Sequence, residues 1–139
     1  MYWDTSALVP TIVAEPSSSQ MRAMAQEDAR VYVWWATQVE CVSAIARRER
    51  ANPSDAESAA EAVTTLTTLA ESWIEVPPSE GLREAARRIV RVHDLRAGDA
   101  FQLAAARVAS GQQPESLPFV TLDDRLALAA RREGFSVLP

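Results

Sequence analysis

Asp4, Glu40, Asp99 and Asp123 are four acids whose neighbours set them apart from the surface charge of the chain. Asp4 lies in W-D-T-S, at the C-terminal end of a β-prone opening, and Asp123 lies in V-T-L-D-D, just after the run Phe119 to Thr121. Asp99 follows Gly98 at a helix start, where the helix dipole stabilises a carboxylate. Glu40 interrupts the small, apolar segment V-E-C-V-S-A-I-A. In open α/β sheets ligands bind beyond the carboxyl ends of strands, which is where Asp4 and Asp123 fall. Carboxylates that converge repel one another, and a hard divalent cation such as Mg2+ or Mn2+ resolves the conflict because it prefers oxygen ligands. A cation held this way polarises a phosphoryl oxygen and activates water, and two of them about 4 Å apart stabilise both the attacking and the leaving oxygen. Clustered acids without a thiol nucleophile therefore point to metal-assisted phosphodiester hydrolysis. Each acid also has an everyday reading: Asp4 and Asp99 as N-caps, Asp123 as a turn residue, Glu40 as a solvated helix position.

Other reactive side chains read as structure. His93, the only histidine, follows an amphipathic helix and has no nucleophile or orienting partner nearby in the sequence. Cys41, the only cysteine, suits a small core position and excludes a disulfide framework, which fits a reducing compartment and a cytoplasmic location. Trp34 and Trp35 lie in a β-prone apolar run that favours core or dimer packing over base stacking. The 139 residues amount to one domain, with 47% hydrophobic and 24% charged residues, an ordinary globular balance. The net charge of -5 excludes a chain that coats nucleic acid by bulk attraction. All 14 basic residues are Arg, and clusters such as Arg47, Arg48 and Arg50 read either as solvated helix faces or as bidentate phosphate grips. No apolar run approaches the ~18 residues of a membrane helix, and no basic segment opens a secretory signal.

The elements that must position the acids alternate. Strands are expected at Tyr2 to Asp4, Val31 to Trp35 (buried on both faces), Trp73 to Val76, Phe119 to Thr121 and Phe135 to Leu138. Helices are expected from an N-cap at Ser6, across Met21 to Ala25, and from a cap at Thr37 to about Arg50. Asn52-Pro53 breaks the chain, and Ser54 caps a long Ala-rich helix. Further helices start at Ser79, open at Asp99 and run from Asp124 to Arg132, where Gly134 ends the last one. Alternation of this kind indicates an α/β fold around a mainly parallel sheet, residues 1–139 forming one domain.

Four blocks carry a resemblance that spans nearly the whole chain. The opening Y-W-D-T-S-A-L-V, then V-E-C-V-S-A-I-A-R, L-R-A-G-D-A-F-Q-L-A-A-A and F-V-T-L-D-D-R-L-A-L-A-A-R-R-E-G-F resemble the signature blocks of the PIN-domain family, in the family's order. The short length resembles the VapC toxins of toxin–antitoxin pairs. The resemblance implies a PIN-like three-layer sandwich, a central mainly parallel sheet of about five strands flanked by helices. It implies a Mg2+- or Mn2+-dependent endoribonuclease in which Asp4, Glu40, Asp99 and Asp123 form the acidic metal site, supported by the hydroxyl of Ser6. The family's T-x-D register favours Asp123 as the fourth ligand, leaving Asp124 to start the helix or act through water. Arg96 is a candidate contact for RNA phosphate or for an antitoxin carboxylate. The implied partners are an RNA substrate, a VapB-type antitoxin and a second copy of the chain, with DNA reached only through the antitoxin and no membrane involved.

Two other readings stand beside this one. A haloacid-dehalogenase-type phosphatase needs a second acid two residues after the first, and Ser6 stands there. A catalytically weak PIN-like binding module, acting through its protein partner, shares every fold feature and differs only in turnover.

Overall fold

A computed structural model describes residues 1–52 and 56–139. β1 (Tyr2–Trp3) leads into α1 (Thr5–Ile12) and α2 (Ser18–Glu27), followed by β2 (Tyr32–Trp34), α3 (Thr37–Ala51), α4 (Ala56–Ala70) and β3 (Ile74–Val76). Then come α5 (Glu80–Val92), α6 (Ala97–Ala109), a 3-10 turn (Pro114–Ser116), β4 (Phe119–Val120), α7 (Asp124–Arg132) and β5 (Val137–Leu138). The five strands are all parallel, in the order β3-β2-β1-β4-β5. In register, Tyr2 pairs with Tyr32 on one side and Phe119 on the other.

Strand alternation sorts the core into two halves. Tyr2, Trp34 and Phe119 point to the face covered by α5, α6 and α7, and Trp3, Val33 and Val120 to the face covered by α1 to α4. The result is a three-layer α/β sandwich. The α6 helix lies close to the sheet because Ala100, Ala104, Ala105 and Ala106 are fully buried and carry only a methyl each. Tyr2 stacks on Phe119 with ring centroids 5.2 Å apart, and Trp34 stacks on Phe101 of α6 at 5.6 Å.

Several expected boundaries move, each for a local reason. The first helix is capped by Asp4, not Ser6, because the Asp4 carboxylate accepts the Ser6 backbone N–H at 3.0 Å. Thr37 is the first residue of α3, with Ala36 at the cap. Asp99 does not open its helix but sits at the third helical position, after a cap at Arg96. Val31 to Trp35 is not buried throughout: Tyr32 is half-buried, and Trp35 lies outside the strand and is 55% exposed. The break expected at Asn52-Pro53 and the cap expected at Ser54 fall on, or run into, positions outside the described residues.

At the C-terminus of α7 the expected Gly134 adopts φ +95. Its N–H bonds the Arg131 carbonyl and the Phe135 N–H bonds that of Ala130, a closing pair that requires the left-handed residue. Glu133, the cap residue there, joins three helices: it accepts from Arg88 of α5, from His93 just past α5 at 2.7 Å, and from Arg107 of α6 at 2.9 Å. Among the described residues, no helix is long and apolar enough to cross a membrane.

Candidate functional site

The chain leaves β1 towards β2 on one side of the sheet and pairs β4 on the other, so the order of connection reverses between β1 and β4. A crevice opens at such a reversal beyond the carboxyl ends of the strands. Here it is an open cavity of about 970 Å3. Asp4 follows β1, Asp123 follows β4, Glu40 comes from the first turn of α3 and Asp99 from the first turn of α6, and all four line it. Ser6 and Arg96 line it too. Asp124 does not: it is the exposed first residue of α7, so of the adjacent pair only Asp123 faces the cavity.

A seam of hydroxyls ties the two strand ends together. The Asp4 Oδ2 accepts from the Ser6 Oγ at 2.5 Å and from the Thr121 Oγ1 at 3.1 Å. Ser6 Oγ in turn accepts the Leu122 backbone N–H at 2.9 Å, and Thr121 Oγ1 accepts that of Asp123 at 3.1 Å. Asp123 spends its Oδ1 on capping α7, accepting from Arg125 and Leu126 N–H groups at 2.8 and 2.9 Å. Glu40 Oε2 accepts from Thr5 at 2.5 Å and from Gln102 at 2.6 Å. Asp99 Oδ2 makes a long contact of 3.4 Å with the Arg96 N–H. Among the described residues, each of the four carboxylates is thus held through one oxygen, and no hydrogen bond is made to the other.

The electrostatics of the site are one-sided. No cation forms an ion pair with any of the four acids among the described residues. Burial pushes Asp4 up to about 6, against the hydrogen bonds of Ser6 and Thr121, and the Glu40 charge adds to the rise. Burial followed by the charges of Asp4 and Glu40 also pushes the Tyr2 phenol well above its ordinary value. The Cys41 thiol is pushed up to about 12 by burial and by Glu40 and Asp4, which makes it a core side chain and not a nucleophile. Arg48 at the rim is paired with Glu15, whereas Arg47 and Arg96 form no ion pair among the described residues.

Among the described residues, no three His, Cys, Asp or Glu side chains form a ready-made metal cage. The donor set nevertheless fits a hydrated divalent ion. Mg2+ needs one or two carboxylates, keeps several waters and takes further oxygens from substrate phosphates. Four carboxylates lining one open cavity, each with an oxygen free of hydrogen bonds and none neutralised by a cation, suit that coordination better than a closed cage would.

Gln102, Thr5 and Thr121 enter the site without having been singled out by sequence. Gln102 carried a readable signal, an uncharged amide inside the alanine-rich stripe of α6, where an unsatisfied polar group is costly. Thr5 and Thr121 look like ordinary strand-end hydroxyls until the fold brings them to Glu40 and Asp4.

A search among curated protein sequences finds no match. Among solved structures, VapC20 of Mycobacterium tuberculosis, described as a toxin that cleaves the sarcin–ricin loop, superposes with a TM-score of 0.70 at 20% sequence identity, covering 99% of this chain and 98% of that one. The likeness is one of fold. The PIN domain family model matches residues 1–132, and the chain therefore belongs to the PIN domain family.

Proposed function

We propose that this protein is a VapC-like endoribonuclease toxin that hydrolyses RNA phosphodiesters with Mg2+ or Mn2+. The observation that carries the reading is the set of four acids from four separate elements, lining one cavity with no cation partner among the described residues. Such an ion supplies Lewis-acid polarisation of a phosphoryl oxygen and activation of the attacking water. Asp4, Glu40, Asp99 and Asp123 are the residues that would hold it. Ser6 and Thr121 keep Asp4 fixed at the junction of β1 and β4, so the substrate meets an arrangement that needs little adjustment. Arg47 and Arg96 set positive charge on the rim, where an RNA backbone passing over the acids needs it. The RNA substrate class is supported by the fold likeness to a toxin described as cleaving the sarcin–ricin loop.

Two protein partners belong to the same proposal. A VapB-type antitoxin neutralises the enzyme by occupying the open cavity. A second copy of the chain covers the exposed apolar stripe of Trp35, Val39 and Val42, of which Val39 is 69% exposed and also lines the cavity.

The decisive experiment is cleavage of total RNA by purified, antitoxin-free protein with Mg2+ or Mn2+, then with EDTA, beside the Asp4→Asn and Asp99→Asn variants. Discrete cuts that need the metal and vanish in both variants are expected. Well-folded protein that binds Mn2+ but cuts nothing would replace this proposal with a PIN-like binding module that acts through its partner.

A further inference from the structure

Gln102 is 1% exposed, at the heart of α6 and outside the cavity lining. Its amide touches four side chains. The Nε2 lies 2.6 Å from Glu40 Oε2, 3.0 Å from Thr5 Oγ1 and 3.2 Å from Thr37 Oγ1, and the Oε1 accepts the Tyr2 phenol at 2.7 Å. The direction of the amide follows from chemistry. A carboxylate oxygen accepts, so the amide nitrogen faces it, and the amide oxygen on the far side then needs a donor. Tyr2 is that donor, and its ring is closely packed: it sits in the central strand, fully buried, stacked on Phe119.

From this geometry we infer that Gln102 is a positioning residue for the metal site, orienting the Glu40 carboxylate from behind with Tyr2 locking the amide. Thr5 and Gln102 both donate to Oε2, which leaves Oε1 on the side of Gly98 and the cavity. A Glu side chain near a cavity rim has rotamers to choose from, and two donors on one oxygen select a single one. Groups that orient a ligand from behind in this way are typically worth 10–100-fold in metal affinity.

The inference rests on the metal-dependent reading above, and its test separates the two. Mn2+ affinity is measured calorimetrically on the whole chain for the unaltered protein, Gln102→Met, Glu40→Gln and the pair combined, with thermal unfolding as the check on folding. Gln102→Met is expected to weaken Mn2+ binding by about 10–100-fold. In the Glu40→Gln background the same change should cost less than about twofold, because a residue acting through Glu40 has nothing left to orient. Should Gln102→Met fail to fold, Tyr2→Phe/Gln102→Met removes the orphaned phenol and is measured in its place. Unchanged affinity, an equal loss in both backgrounds, or unfolding of that second variant as well would overturn the role of Gln102 and leave the proposed function intact. No Mn2+ binding by the unaltered chain would overturn both, whereas tight binding without RNA cleavage would overturn only the ribonuclease reading.

Discussion

At the scale of single residues, capping and metal-ligand readings of the acids turn out to be compatible. Asp4 and Asp123 do cap α1 and α7, each through one oxygen, and still line the cavity. Capping fixes the side chain and places it at the positive end of a helix, which favours the carboxylate form. Asp4→Asn keeps a capping oxygen and removes a charge that burial disfavours, so the unfolding midpoint is expected to hold or rise while RNA cleavage falls by about 1000-fold, or about 4 kcal/mol. Calorimetry and a cleavage time course check the two halves. The four acids were legible in the sequence because their neighbours are apolar or sit at strand ends. The neutral groups were not. Gln102 reaches Glu40 across 62 positions and Thr121 reaches Asp4 across 117, and no local pattern announces a partner that distant.

At the scale of elements, all five strands lie where the sequence placed them, each shorter by one or two residues, whereas three helix starts shift. A 13-residue helix such as α5 shows its apolar stripe and its Ser79 cap over several turns, whereas β1, β4 and β5 pair over two residues each. Such short strands are defined by their neighbours in the sheet more than by their own pattern. The corner where Glu133 joins α5, α6 and α7 was illegible for the same reason: His93 and Glu133 lie 40 positions apart. Burial alone would push Glu133 up, but hydrogen bonds from Arg88 and His93 and the charges of Arg88 and Arg107 hold it below the ordinary carboxylate value. A carboxyl lowered on folding contributes stability that is complete above its ordinary value and is lost as pH falls through the lowered one. Glu133→Gln is therefore expected to cost about 2 kcal/mol at neutral pH, and its stability should vary less than the parent's between neutral and acidic buffer. Urea denaturation across that pH range measures both.

At the scale of the whole molecule, fold class and parallel sheet were readable from alternation, and the strand order was not, since nothing in the sequence says which strand lies in the middle. That order has consequences on the outside too. The edge at β3 and the start of α3 leave Ile74, Trp35, Val39 and Val42 in solvent, and an apolar group of this kind suits a subunit contact. Trp35→Glu is expected to shift sedimentation from dimer to monomer without lowering the unfolding temperature of the subunit; an unaltered chain that sediments as a monomer would remove the dimer from the proposal. The central place of β1 also sets a clock on biosynthesis. The strand that begins the chain pairs with β4, and Thr121 lies 117 positions beyond the Asp4 it braces. At ~5–20 residues per second the ribosome needs about 6 to 23 s to cover that distance. Over that interval Glu40 and Asp99 join Asp4 while Asp123 and the hydroxyl seam are still missing, so the four acids share a cavity only once β4 has been made and paired.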